Sequence, residues 1–216
     1  MVPAFLECES HPGRTLVDHL LDVSRPLHDP VLRLAALCHD AGKATKYFQE
    51  YLCDRPPKDE RLKWHAQLGA EILLEVLLEK LQAGEEIAPE RIILAFQFVR
   101  RHHGALDDVG DGLSLAGDEN RLLADQRRVL DEAGLHAWLA VHGHGVRSCS
   151  DKDRVQLRVR ALPALKSERD LGPCMARFQR ALCDFGRLIE SDRDSASGFG
   201  QGFFETGPRY TTSQVE

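Results

Sequence analysis

Apolar residues recur at helical spacing along almost the whole of this 216-residue chain, and proline and glycine cut the pattern into segments. "TLVDHLLDVSRPL" carries a one-sided stripe of Leu16, Val17, Leu20, Leu21 and Val23. "DPVLRLAALCHDAGK" opens on Asp29 as an N-cap with Pro30 at the first helical position, and Gly42 reads as its C-terminal stop. "ATKYFQEYL" reads as a short helix closed by the Pro56-Pro57 loop. The longest helix begins near His65 and stops at Gly84, and another runs from Pro89 to Gly104. "ALDDVGDGLSLAGDEN" reads as a loop, and a single helix is expected over 121–139. "RVQLRVRALPAL" alternates enough to predict a short strand or extended segment, and "CMARFQRALCDFGRLIESDRDSA" is a final strong helix. The fold class is therefore mainly α, a compact helical bundle with minor β at most. Residues 1–196 read as one domain and 197–216 as a Gly-rich C-terminal tail or linker.

Charge and cysteine usage narrow the class further. A formal net charge of −6 argues against duplex binding by bulk charge. Between Arg147 and Asp170, seven Lys/Arg face four acids, which reads foremost as a solvated face. The start "MVPAFLECESHPGR" lacks a basic stretch followed by an apolar one, and no apolar run approaches the roughly 18 residues of a membrane span. The six scattered cysteines form no C-x-x-C pair and are read as reduced thiols, with Cys38 and Cys183 as packing residues. The expectation is a cytoplasmic protein with no membrane association.

Against that apolar background, the placement of imidazoles and carboxylates is not random. His19 lies within the first stripe, His39 and Asp40 end the second helix, and His65 opens the long one. His102 and His103 end the next, and Asp192 sits just past the last apolar run. Any one such histidine is ordinarily a satisfied structural residue. Five histidines and two carboxylates repeating the pattern would each be costly to bury alone, and a shared metal would satisfy them together. Histidine and carboxylate donors without cysteine point away from a structural zinc finger and toward a hydrolytic site with open coordination positions. The imidazole-rich set favours Mn, Fe, Co or Ni over Mg.

The series H…HD…H…HH…D resembles the HD superfamily of metal-dependent phosphohydrolases. Within it, "LVDHLLDV", "LAALCHDAGKATKYFQEYL", "KWHAQLGAE", "RRHHGALDD" and "LIESDRDS" are most similar to the HD nuclease domain of the type I CRISPR helicase-nuclease. That resemblance spans Leu16 to Ser195. It implies two divalent ions bridged by Asp40, one held by His19, His39, Asp40 and Asp192. The other would be held by Asp40, His65, His102 and His103, with Lys43 near the scissile phosphate. Two ions roughly 3.5–4 Å apart suit an in-line phosphoryl displacement. The implied activity is hydrolysis of single-stranded DNA in CRISPR interference. The implied partners are a helicase, on a separate chain or in a missing part of this one, and a crRNA-guided surveillance complex. Two other readings share the HD core: a phosphohydrolase of nucleotides or cyclic nucleotides, and a non-catalytic interaction module.

Several weaker signals remain. "GKAT" fails as a phosphate-binding loop, because Leu37 stands where its first glycine would fall. His11 and His28 read as surface residues, with His11 near a site mouth, and His142 and His144 lack a carboxylate partner. Arg100 and Arg101 are candidate phosphate contacts, and Trp64 a rim aromatic with a stacking option.

Overall fold

The computed structural model describes residues 2–106, 113, 117–166 and 171–198. Among them are nine α-helices: α1 (Leu16–Ser24), α2 (Pro30–Cys38), α3 (Lys46–Leu52), α4 (Ala66–Gln82), α5 (Pro89–Arg101), α6 (Gly117–Arg127), α7 (Glu132–Val141), α8 (Asp151–Lys166) and α9 (Leu171–Ala196). A small antiparallel hairpin, β1 (Glu9–His11) and β2 (Arg14–Thr15), precedes them. The mainly α expectation, with minor β, is met. No helix among the described residues is long and apolar enough to cross a membrane.

Local chemistry sets most helix boundaries. Thr15 caps α1 by accepting from the Asp18 N–H, and Asp29 caps α2 by accepting from Leu32 at 2.8 Å, with Pro30 next. After α4, Gly84 takes a φ of +89° and the Glu85 N–H donates back to Lys80 O, closing the last turn.

The long helix α4 is the centre of the bundle. Every residue from Leu68 to Leu78 is buried, so it has no solvent face. Its two buried carboxylates are paired from outside, Glu71 by Arg154 and Glu75 by Arg127 at 2.9 Å. Helices α2 and α5 pack on it, and α1 packs on α2. A second apolar cluster of Val23, Leu27, Leu32, Ala36, Phe98, Ala181 and Leu188 seats α9 across α1, α2 and α5. Arg91 ties that joint, bonding Asp29 at 2.8 Å and Asp184 at 2.7 Å.

Four expectations are corrected. The segment read as a strand is the body of α8. Leu157 and Ala161, four apart, are its buried positions, whereas Val155 and Val159 are exposed and only mimic a two-residue period. Ser150 and Asp153 form a reciprocal cap that starts this helix, Ser150 Oγ donating at 2.6 Å and the Asp153 N–H returning at 3.2 Å. The single helix over 121–139 is two, α6 and α7, because Asp131 turns its carboxylate onto Gly134 N and Phe5 N and begins a new helix. The loop before it ends earlier than expected, α6 starting at Gly117. Cys183 is exposed and does not pack, unlike Cys38; the five cysteines whose side chains are described are free thiols. Within the basic segment, Arg147 and Arg154 are held by Asp153 and Glu71. Residues 199–216, most of the expected tail, lie outside the described residues.

Candidate metal centre

Five separate elements deliver the seven predicted donors to one place. α1 carries His19, and α2 ends in His39 and Asp40. At Asp40 the backbone leaves the helical basin (φ −106°, ψ 5°), which lets neighbouring side chains turn to the same cluster. His65 is the N-cap of α4, His102 the C-cap of α5 with His103 following, and Asp192 lies on the last turns of α9.

Two glycines set the distance between the second and third of these segments. A Cβ on Gly42 would lie 2.4 Å from His65 O, and one on Gly69 would lie 2.4 Å from His39 O. The strand of chain around His39-Asp40 and the start of α4 therefore lie backbone against backbone, each with a glycine at the contact. Gly42 is not the helix stop read from the sequence, since α2 ends at Cys38. It sits in a 3-10 turn (Ala41–Ala44), and its role is close approach.

Asp40 is at the centre and almost fully buried. Its two oxygens face different partners. Oδ2 lies 3.1 Å from His19 Nε2 and 3.5 Å from His39 Nε2. Oδ1 lies 2.9 Å from His65 Nε2 and 3.4 Å from His102 Nε2. Asp192 Oδ1 completes the first set at 3.2 Å from His19 and 3.4 Å from His39. His103 Nε2 completes the second, 2.8 Å from His65 Nε2. The two sets capable of holding a metal are thus His19, His39, Asp40, Asp192 and Asp40, His65, His102, His103.

The donor chemistry fits cations. His39 Nδ1 donates to Ala36 O at 2.7 Å and His102 Nδ1 to Val99 O at 2.6 Å. A carbonyl has no proton to give, so Nδ1 carries one in both rings, and Nε2 is the atom each ring would offer to a cation beside the carboxylates. Asp40 Oδ1 and His102 Nε2 are buried, 3.4 Å apart, and neither takes part in a hydrogen bond. Two lone pairs facing each other in a dry interior are unfavourable without a positive charge between them. Two ligand atoms, each about 2.1 Å from one ion, lie about 3.0–3.4 Å apart at right-angled or tetrahedral coordination. The observed spacings, from 2.8 Å (His65 to His103) to 3.5 Å (Asp40 to His39), centre on that range.

The electrostatics agree. Burial would raise the Asp40 carboxyl, but His39, His65 and Lys43 around it hold it well below the usual carboxylate range. Asp192 behaves alike, burial being outweighed by the His19 and His39 imidazoles beside it. Burial lowers His65 to about 4, and burial together with its histidine neighbours lowers His103 to about 3. For His19 burial works downward, yet Asp192 and Asp40 leave it raised. Ionised carboxylates and neutral imidazoles are the forms that bind metal, which suits Asp40, Asp192, His65 and His103, whereas His19 would give up a proton to a cation.

Lys43 is buried, with Nζ 2.6 Å from Asp40 Oδ2, and forms the wall shared by two troughs of about 720 and 820 Å³. His11 and His103 line both troughs as well, so the two meet over the cluster. His11 is indeed at the mouth, its ring 5.5 Å from that of His19, and His28 is exposed. Arg100 and Arg101 line the first trough, where Arg100 bonds Glu119 at 2.8 Å. His142 and His144 belong to neither set; His142 stacks on Trp138 instead.

Sequence reasoning missed Ser195. Its Oγ lies 2.9 Å from His19 Nδ1, and Arg14 donates to its carbonyl. The signal was its position three residues after Asp192, on the same face of α9.

The HD domain family model matches residues 13–135, which hold every donor except Asp192. The CRISPR-associated nuclease/helicase Cas3 of Haloferax volcanii is 44% identical over 78 residues, covering 36% of this chain. This chain covers only 8% of that relative's length. No solved structure matches.

Proposed function

This chain belongs to the HD domain family, and from that premise we propose that it is a metal-dependent nuclease hydrolysing phosphodiester bonds of single-stranded DNA. The observation that carries the reading is the divided carboxylate of Asp40, each oxygen serving a different group of imidazoles. Two divalent ions, Mn, Fe, Co or Ni in preference to Mg, would be held by the two donor sets, and they would supply Lewis-acid polarisation and an activated water at neutral pH. The chain's own work is to keep the donors ionised or neutral as required, to exclude water behind them, and to present Lys43. That ammonium reaches Asp40 from the trough wall, where a phosphodiester lying across the cluster meets it. Arg100 and Arg101 would take flanking phosphates. Two troughs meeting over the cluster suit a strand passing through, whereas a free nucleotide calls for a single closed pocket.

The likeness to a nuclease/helicase supports a place in CRISPR interference. There the domain would act in the cytoplasm with a helicase and a crRNA-guided surveillance complex that exposes a single strand. Circular single-stranded DNA incubated with the Mn²⁺- or Ni²⁺-loaded protein is expected to be cut, and a chelator to stop the cutting. Intact circles with ions bound, or faster hydrolysis of deoxynucleotides or cyclic nucleotides than of oligonucleotides, would refute the assignment.

Ser195 gives a prediction internal to the site. A hydrogen bond from His19 Nδ1 to Ser195 Oγ, 2.9 Å away, would hold the tautomer whose Nε2 offers a lone pair on the side of Asp40 and Asp192. Ser195→Ala is expected to weaken one of two Mn²⁺ binding steps by about 10- to 100-fold and to leave the other nearly unchanged. Calorimetric titration reads this, and equal weakening of both steps would count against it.

A further inference from the structure

Trp64 stands one residue before His65, with its side chain in the open. The residue is 61% exposed, although burial of so large an apolar side chain is ordinarily favourable. Among the described residues its indole has no ring contact and no side-chain hydrogen bond. Its backbone, in contrast, is pinned. The Trp64 N–H donates to Arg61 O at 3.0 Å, and its carbonyl accepts from the buried amide of Gln126 at 2.6 Å, while the same amide nitrogen bonds Leu62 O. A fixed main chain thus holds an unpartnered ring beside a residue of the cation cluster.

The surroundings of that ring are aromatic and basic. Trp64, Tyr51 and Phe48 line the same trough as His65 and His103, and Lys63 lies over the Tyr51 ring at 4.5 Å. Phe48 packs edge-on against His65, its ring centroid 5.2 Å away. Tyr51 is also 41% exposed. Flat apolar rings at the rim of a trough, with cations between them, are what a single strand needs: a face for the base and a charge for the backbone.

We propose that Trp64 is the stacking platform for one nucleobase of the substrate strand, on the His65 side of the cluster, with Lys63 beside it for the adjoining phosphate. Trp64, His65 and His103 line one trough, so a base on Trp64 belongs to the stretch of strand lying in that trough beside the cluster. Every base has a face, so the platform anchors the strand without reading its sequence. The proposal rests on the nuclease reading and adds to it a substrate-binding residue that lies outside both donor sets.

Trp64→Ala and Trp64→Phe, each loaded with Mn²⁺, are to be compared with the unaltered protein on two strands of equal length. One is oligothymidylate and the other carries a run of abasic tetrahydrofuran sites. Trp64→Ala is expected to raise KM for oligothymidylate by about 5- to 150-fold with kcat little changed. Trp64→Phe should keep most of the affinity, and the abasic strand should be cut alike by all three. An unchanged KM overturns the proposal, as does equal weakening toward both strands, which would mark a merely structural role. If no strand is cut, the nuclease reading fails by itself, and fluorescence still decides the platform. The chain has two tryptophans, so quenching by oligothymidylate that disappears in Trp64→Phe supports stacking. No quenching, or quenching that persists in that variant, overturns it.

Discussion

Asp40→Asn is expected to lower phosphodiester cleavage by at least about 10³-fold while leaving the fold intact, because several kcal/mol of transition-state stabilisation pass through this one carboxylate. The amide keeps the shape of the side chain but cannot offer an anionic oxygen to each of two cations. His19, His39, His65 and His102 all point an Nε2 at Asp40, so its loss weakens both donor sets at once. The asparagine change is a sharper test than alanine. Both changes remove the charge that faces the buried Lys43 ammonium, 2.6 Å from Asp40, but asparagine keeps a carbonyl oxygen to accept from it, whereas alanine leaves it with no acceptor there and destabilises the fold for reasons unrelated to catalysis. Circular dichroism and calorimetric Mn²⁺ titration on the same preparation separate the two effects. Cleavage within tenfold of the unaltered protein would remove the bridging role.

Gly69→Ala is the second large effect, and it acts at a distance from the chemistry. The new methyl would meet His39 O at 2.4 Å and Cys38 O at 2.6 Å, both main-chain atoms that cannot swing aside. Overpacking of this kind costs about 3 kcal/mol, which for a chain of this length lowers Tm by roughly 6–12 °C. Relief comes only by moving α4 away from the end of α2, and His65 rides on the start of α4. Displacement near 1 Å costs about 10²-fold in rate even when every functional group remains. Gly186→Ala in α9 is the control: its Cβ meets nothing within 4 Å, and a helix gains from alanine, so Tm should hold or rise. A Gly69→Ala protein as stable as the Gly186→Ala protein would show that the joint between the two segments yields easily.

How much of this could be read from the sequence varies from residue to residue, for physical reasons. The donors were legible because an imidazole or carboxylate at the end of an apolar helix breaks a pattern, and seven breaks share one explanation. Helix ends marked by a single residue's chemistry were legible too, Asp29 and Gly84 among them. Gly42 was seen but misread, since a helix stop and a close approach both ask for glycine, and only the position of His65 O distinguishes them. α8 was misread because Val155, Leu157 and Val159 alternate, and burial, which falls on Leu157 and Ala161, is a property of the packed molecule. Asp131 was passed over because apolar spacing continues across it. Ser195 was missed because its partner, His19, is 176 residues away, and its place one turn after Asp192 marks it only once that residue is known to face the cluster.

Asp192 is separated from Asp40 by most of the polypeptide, yet the two converge on the same pair of imidazoles. During synthesis this makes the last helix an arming step. A nascent chain interrupted before α9 emerges has one donor set whole and the other short of its second carboxylate, so a half-made molecule would lack one of the two cation sites. The same clasp works in reverse in the finished molecule. An ion held between His19, His39 and Asp192 would also fasten α9 to the body of the bundle, so withdrawal of metal should loosen α9 before any other helix.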